Sequence, residues 1–423
     1  MRALAVTGLA LAASVRAAPF IANVTDYGAV GDGVTLATAA LEAAISAVHS
    51  HGGGELLFPS GTYLTAPLNL TSNCTVRLLN ATLLAAADWA AWTVVAPLPS
   101  YGRGRDFPGP RYCAFLGMNN LSAVTIVGEG GADANFINGQ GASWWAGVRN
   151  GTLRVTPGHL LETMWSSDIE IAGVTLVDSP FWNTHLWSSK RLWVHDVKVR
   201  APPTSANTDG FDPDSSSDVV IERVDVQNGD DCIAVKSGWD GPGVAYGTPT
   251  TNVTFRDAVC DSRAQAGNCV AIGSEMSGGV ADIFITNITC INSGALIDVK
   301  STLGRGGYVR NVHLSNSTIT GKLKVGLQVA DNYGDNNGPV NKTLVPTMGD
   351  IFITNVTAKS TAVIAASGYF EGLGDTAVSG KVTNVVLQDI DLGAPTNGWH
   401  CVNVSGTSTR VSPEPCPALR GGV

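Results

Sequence analysis

Two apolar residues at alternate positions, a polar pair, then two more alternating apolar residues: this short pattern returns along most of the chain. It reads SDIEIAGVTL from Ser167, KRLWVHDVKV from Lys190, SDVVIERVDV from Ser217, TNVTFRDAV from Thr251, ADIFITNITC from Ala281, RNVHLSNSTI from Arg310, GDIFITNVT from Gly349 and TNVVLQDIDL from Thr383. A weaker copy begins near Leu121. The first apolar positions, Ile169, Leu192, Val219, Val253, Ile283, Val312, Ile351 and Val385, lie 23 to 39 residues apart. Alternation with period 2 makes each unit a strand, and a repeat of 20 to 50 residues marks a solenoid. Each unit then buries one apolar row that only neighbouring coils can cover. The pattern predicts an all-β chain, with residues 18–423 forming a single-domain right-handed parallel β-helix. A β-sandwich, the competing reading, would place turn signals every 8 to 12 residues with no such shared register.

Helical spacing of alanine and leucine occurs in residues 35–48, TLATAALEAAISAV, after the turn GAVGDG. It predicts a short helix capping the open N-terminal end, because terminal units of an array must be atypical. Abundant Val, Ile, Thr and Asn, with 49 glycines in 423 residues, agree with many short strands joined by turns. Residues 1–17 have a basic start at Arg2, an apolar run from Ala3 to Ala13 and small residues near Ala17, the layout of a signal peptide. That run is shorter than the roughly 20 residues a membrane span needs. A secreted, extracellular monomer without a membrane partner is expected. Twelve Asn-X-Ser/Thr sequons, at Asn23, Asn69, Asn73, Asn80, Asn120, Asn150, Asn252, Asn287, Asn316, Asn341, Asn355 and Asn403, suit that route, although Asn and Thr also abound in β-rich turns. Eight cysteines allow four disulfides, and the short Pro-rich loop between Cys401 and Cys416 predicts that pair. No CxxC or His-rich cluster points to zinc, so neither metal nor cofactor is expected.

A net charge of −9 argues against nucleic acid as a partner. An acidic polymer stays open, because screening over about 8 to 10 Å makes charges lining a cleft count more than the total. Only 14% of residues are charged, yet QNGDDCIAVKSG, residues 227–238, sets Asp230 beside Asp231. The preceding SANTDGFDPDSSSD, residues 205–218, carries Asp209, Asp212 and Asp214. Asp209 and Asp230 are 21 residues apart, close to the shortest repeat, which puts them on successive coils about 4.8 Å apart. Crowded carboxylates cannot all ionise, so one keeps its proton. A protonated acid facing ionised carboxylates suits glycosidic cleavage: the acid protonates the leaving oxygen and a carboxylate activates water. Asp-Gly and Asp-Pro are also ordinary turn chemistry; the coil spacing favours the catalytic reading. Which of Asp230 and Asp231 holds the proton is not legible in the sequence.

The strings NTDG at 207–210, GDDC at 229–232, AIGSEMSGG at 271–279 and VKSTLGRGG at 299–307 resemble, in that order, the polygalacturonases of glycoside hydrolase family 28. So do VTDYGAVGDGV at 24–34 and FPSGTYLTAPL at 58–68. The resemblance implies a right-handed parallel β-helix that hydrolyses pectin galacturonan with inversion and without metal. It implies Asp230 as general acid, with Asp209 and Asp231 positioning and activating water, and acid and base roughly 6.5 to 9.5 Å apart.

Two positions depart from the best-known family members. Asn268 stands where they carry a catalytic-site histidine, and Asp298-Val299-Lys300 replaces an Arg-Ile-Lys string that grips the substrate carboxylate. VKSGWD at 235–240 and GRGGYVRN at 304–311 resemble a plant-like branch of the family. Lys236, Lys300 and Arg305 are expected to line the cleft as cations, with Asn268 beside them. Trp182, His185 and Trp187 in PFWNTHLW are candidates to stack on or bond a sugar, against the commoner core role of such residues. Glu275 is expected to bond backbone amides. The expected activity is hydrolysis of α-1,4-galacturonosyl linkages in pectin. Two alternatives stand beside it: hydrolysis of rhamnogalacturonan or another uronic-acid polysaccharide, and a catalytically silent, wall-binding β-helix. A calcium-dependent lyase is disfavoured because no arginine is seen beside the acidic cluster. Exo or endo action would depend on whether loops at 87–112 or 330–348 block the cleft.

Overall fold

The computed structural model describes residues 20–262, 267–334, 340–373 and 381–420; the expected signal segment lies outside the described residues. The repeats form strands of one long parallel sheet of 19 strands. The apolar positions that opened the sequence reading pair directly: Val124 with Ile169, then Leu192, Val219, Val253, Ile283, Val312, Ile351 and Val385. Each is at most 3% exposed. They form one continuous ladder through the core, as a right-handed parallel β-helix requires.

The polar residues of the repeat have their own cause. The residue before each first apolar position, from Asp168 through Asp218, Asn252 and Asp282 to Asn384, has φ of 52° to 60°. A second such bend falls at Asp196, Asp257, Asn287, Asn316, Asn355 and Asp389. Left-handed backbone costs most L-residues about 1–2 kcal/mol, and Asn and Asp least. The bends also stack: Asn252 Nδ2 donates to Asp218 (2.7 Å), Asn287 to Asp257 (2.6 Å) and Asn384 to Asp350 (2.7 Å). Eight of the sequon asparagines, including Asn73, Asn80, Asn120 and Asn403, occupy positive-φ positions. The coil geometry therefore accounts for asparagine there without reference to glycans.

A second parallel sheet of 11 strands closes the coils. Along it, inward residues such as Phe211, Ile233, Val270 and Ile297 join the core. The alternate positions face out in register: Glu162, His185 and Asp212 in one row, with Ala271, Asp298 and Gln328 continuing it downstream. This outward face carries the site.

The predicted cap is the helix Thr38–Ser50, which buries Leu41, Ala44, Ile45 and Val48. Helices Ala142–Asn150 and Asp240–Tyr246 were not legible. The first contains two tryptophans and a glycine, the second a proline and two glycines, so packing rather than propensity sustains them. Trp144, for instance, sits edge-on to Trp89, Trp92 and Tyr112. Cys401 and Cys416 are bridged as expected, and Cys269 with Cys290 as well. The other four cysteines are free, so four disulfides do not form; Cys74, Cys232 and Cys260 behave as small core residues. Among the described residues no helix is long and apolar enough to cross a membrane.

Candidate active site

Asp209 precedes the strand Phe211–Asp214, and Asp231 precedes Ile233–Val235 on the next coil. The coils are stitched by Gly210 N to Asp231 O (2.9 Å) and Phe211 N to Cys232 O (3.1 Å). Side-chain amides fix the loops: Asn228 Nδ2 donates to Thr208 O (2.8 Å) and Asp231 O (2.9 Å), and Asn183 Nδ2 to Asp209 O (3.0 Å). At Gly267 a Cβ would lie 1.9 Å from the Asp230 carbonyl carbon, so only glycine lets the third coil approach. As a result Asp209, Asp230 and Asp231 each place a carboxylate oxygen within 4.8 Å of the others. The expected juxtaposition across coils is present. The 4.8 Å is between nearest oxygens, whereas the roughly 6.5 to 9.5 Å expected for acid and base is between whole carboxyl groups.

The three carboxylates differ in environment. Asp231 Oδ1 accepts from Asn268 N (2.7 Å) and Asn268 Nδ2 (2.9 Å), and Oδ2 from Lys300 Nζ (2.9 Å). Among the described residues Asp230 meets no cation at that range and accepts from Asp231 N (2.9 Å) and Asn207 N (3.2 Å). Lost solvation, then the charges of Asp209 and Asp231, push its carboxyl up to about 8. Asp209 is also raised by burial, opposed by Lys236, whose Nζ is 3.5 Å away. The proton that sequence left unplaced therefore favours Asp230.

The well around them is lined by Arg105, Trp182, Asn207, Ser274, Glu275 and Tyr333, with the three aspartates, Lys236 and Lys300. Lys300 lies 5.3 Å from the Tyr333 ring centre. Lys236 is buried beneath the cluster rather than free in the cleft, shared by Asp209, Asp212 (3.4 Å) and Glu275 (3.7 Å) and resting on Trp182 (4.4 Å). Glu275 bonds cations, not the expected backbone amides: burial raises its carboxyl, but Arg105 and then Lys236 hold it well below the usual range. Arg105, from a loop far upstream, overturns the expectation that no arginine stands beside the cluster. Its pairing with Glu275 makes it a charged donor.

Two expected contacts do not hold. Arg305 is fully buried, bonded to Ser274 O (3.1 Å) and Asp240 (2.5 Å) and stacked on Trp239, and does not line the well. His185 is fully buried too, between Glu162 (2.9 Å) and Asp214 (3.3 Å). Asp298, in place of the family arginine, is 6% exposed and receives Asn268 Nδ2 (3.3 Å). Burial pushes it up to about 6. Asn268, itself a substituted position, thus links the other, Asp298, to Asp231. The aspartate cluster has metal-like spacing, as do His159, Glu162 and His185. Lysines already neutralise the first, and Arg111 bonds Glu162 through both oxygens (2.9 Å) in the second. Arg105 and Tyr333 were missed because irregular loops carry them; Asn207 and Ser274 lie inside the quoted motifs.

The profile of glycosyl hydrolases family 28 matches residues 105–412, and one of rhamnogalacturonase A/epimerase, pectate lyase-like, matches 21–76. The chain belongs to family 28. It is a glycosyl hydrolase. A probable polygalacturonase of Vitis vinifera is 38% identical over 403 residues, covering 94% of this chain and 80% of the relative, which supports the plant-like branch. Among solved structures, an exopolygalacturonase of Thermotoga maritima superposes with a TM-score of 0.76 at 22% identity, covering 93% of each chain. The polygalacturonase of Erwinia carotovora gives 0.71 at 20% identity, covering 94% of this chain and 99% of that one. These two likenesses concern the fold of the family 28 enzyme alone.

Proposed function

We propose that this enzyme is a secreted polygalacturonase-like hydrolase that cleaves α-1,4-galacturonosyl linkages of a pectic polymer. Asp230 protonates the leaving glycosidic oxygen, while Asp209 and Asp231 position and deprotonate the attacking water. The observation that carries this reading is the division of the cluster: among the described residues Asp230 faces two anions without a close cation, whereas Asp231 accepts three donors and Asp209 faces Lys236. Asn268 positions Asp231, and Lys300, beside Tyr333, bridges the cluster to the open side of the well. With Asp230 neutral, Asp209, Asp231 and Glu275 are balanced by Arg105, Lys236 and Lys300 among the lining residues. A uronate can therefore enter despite the chain's overall charge of −9. The two disulfides suit an oxidising compartment.

Inversion rests on the resemblance and on Asp231 being engaged at both oxygens, which leaves it poorly placed to attack carbon. A retaining displacement would instead need one carboxylate free to attack carbon. Reducing-end release and product anomer read by NMR, for wild type and Asp230→Asn on polygalacturonate, rhamnogalacturonan and other uronans, test both. Inverted anomers that vanish in the variant are expected. Retained anomers would replace the mechanism, and binding without cleavage of any polymer would leave a silent wall-binding protein.

A further inference from the structure

We infer that residues 98–106 form a fixed stop across the upstream end of the cleft, so that the enzyme works from a chain end rather than within a polymer. The inference rests on the hydrolase reading above. The outward row of the second sheet supplies the observation. Upstream of the carboxylates this row holds Glu162, His185 and Asp212, all at most 2% exposed although they are charged or polar and sit on the outer face. Downstream, the row stays buried through Ala271 and Asp298 and opens at Gln328 and Tyr369, which are part-exposed, and His400, which is exposed. Over the upstream part, the strap residues Leu98, Tyr101 and Arg105 lie around His185.

Leu98 and Tyr101 pack with Phe181, Trp182, Trp187 and Trp239 in a small apolar core outside the solenoid. Polar anchors hold the strap at several points. Tyr101 Oη donates to Asp214 (2.6 Å), Trp187 Nε1 to Ser100 Oγ (3.0 Å), Trp239 N to Ser100 O (2.8 Å) and Asn207 Nδ2 to Asp106 (3.1 Å). Arg105 pairs with Glu275 at the edge of the catalytic well. Beyond the strap an apolar groove of about 530 Å³, lined by Pro97, Leu98, Glu162 and Trp165, continues along the same face. Beneath the strap, between Tyr101, Arg105 and His185, only about 20 Å³ remains. A single water needs about 10–15 Å³ on this scale, so this gap is too small for a sugar ring. A polysaccharide bound in the well then ends against Arg105, with Tyr101 buried behind it.

The test follows early products from polygalacturonate by chromatography alongside viscosity. Wild type is expected to release mono- or short uronides from the first per cent of turnover, with viscosity falling slowly relative to new reducing ends. A ladder of intermediate oligomers with rapid viscosity loss would overturn the stop while leaving the hydrolase intact. No reducing ends from any uronan would overturn the hydrolase reading and the stop with it. Replacing residues 98–104 by a Gly-Ser linker should shift products towards longer oligomers; an unchanged product profile in a folded variant, checked by circular dichroism, would also overturn it. If that variant does not fold, the wild-type profile decides alone.

Discussion

Asp230 and its neighbours differ by which donors reach them, and single substitutions should separate their roles. Asp230→Asn removes a carboxyl raised to about 8, so a fall in kcat of about 10²–10⁴ is expected from loss of general acid catalysis. In wild type, kcat/KM should drop as pH rises through about 8, where the free enzyme loses that proton; an alkaline limb that persists unchanged in Asp230→Asn would point to another acid. Asn268→Ala removes one of three donors to Asp231 and the link to Asp298. A hydrogen bond to a charged group contributes about 1.5–3 kcal/mol, which corresponds to a loss of roughly 10- to 100-fold in kcat, measured on folded protein. The site carboxylates and Asn268 were legible because their motifs and coil spacing are sequence properties. His185 and Arg305 were misread because period-2 alternation says that a side chain leaves the sheet, not what covers it afterwards.

Left-handed bends, one before the first apolar residue and one at the polar pair, are what the polar residues of each repeat encode. Asn384 is exposed, has φ of 52° and donates to Asp350 on the previous coil. Asn384→Ala should destabilise by about 1–2 kcal/mol, since alanine gains nothing in the left-handed region. Asn384→Gly should cost less despite losing the same hydrogen bond, because glycine accepts that backbone freely. Thermal unfolding of both variants checks the order; equal losses would mean that the ladder bond, not the bend, matters. The strands themselves and the N-terminal cap were legible because alternation and helical spacing are strong local signals. The helices Ala142–Asn150 and Asp240–Tyr246 were not, since aromatic cages and coil contacts hold segments of poor helix propensity.

For the molecule as a whole, the buried carboxyls set how stability depends on pH. Asp230, Asp298 and Asp331 are raised, to about 8, 6 and 6, chiefly by burial. A raised acid binds its proton more tightly when folded, so stability is lost as pH climbs from the unfolded value near 4 through each folded value. Glu162 and Glu275 are lowered, because Arg111 and Arg105 overcome burial, and their contribution disappears only when pH falls below the normal carboxylate range. Tm is therefore expected to peak near pH 4–5 and to decline towards pH 8, by several degrees in a series at constant ionic strength; a flat or rising profile would refute this. The sequence by itself determined the parallel β-helix, the register of its apolar ladder, the Asn and Asp bends and the three-aspartate cluster, because each follows from a local pattern repeated at coil spacing. Tertiary structure alone decided that burial and two neighbouring carboxylates raise Asp230, that Lys236 lies beneath the cluster, and that Arg105 and Tyr101 arrive from an upstream loop to roof part of the outer face. Those outcomes depend on burial and on contacts between segments that no periodic pattern relates.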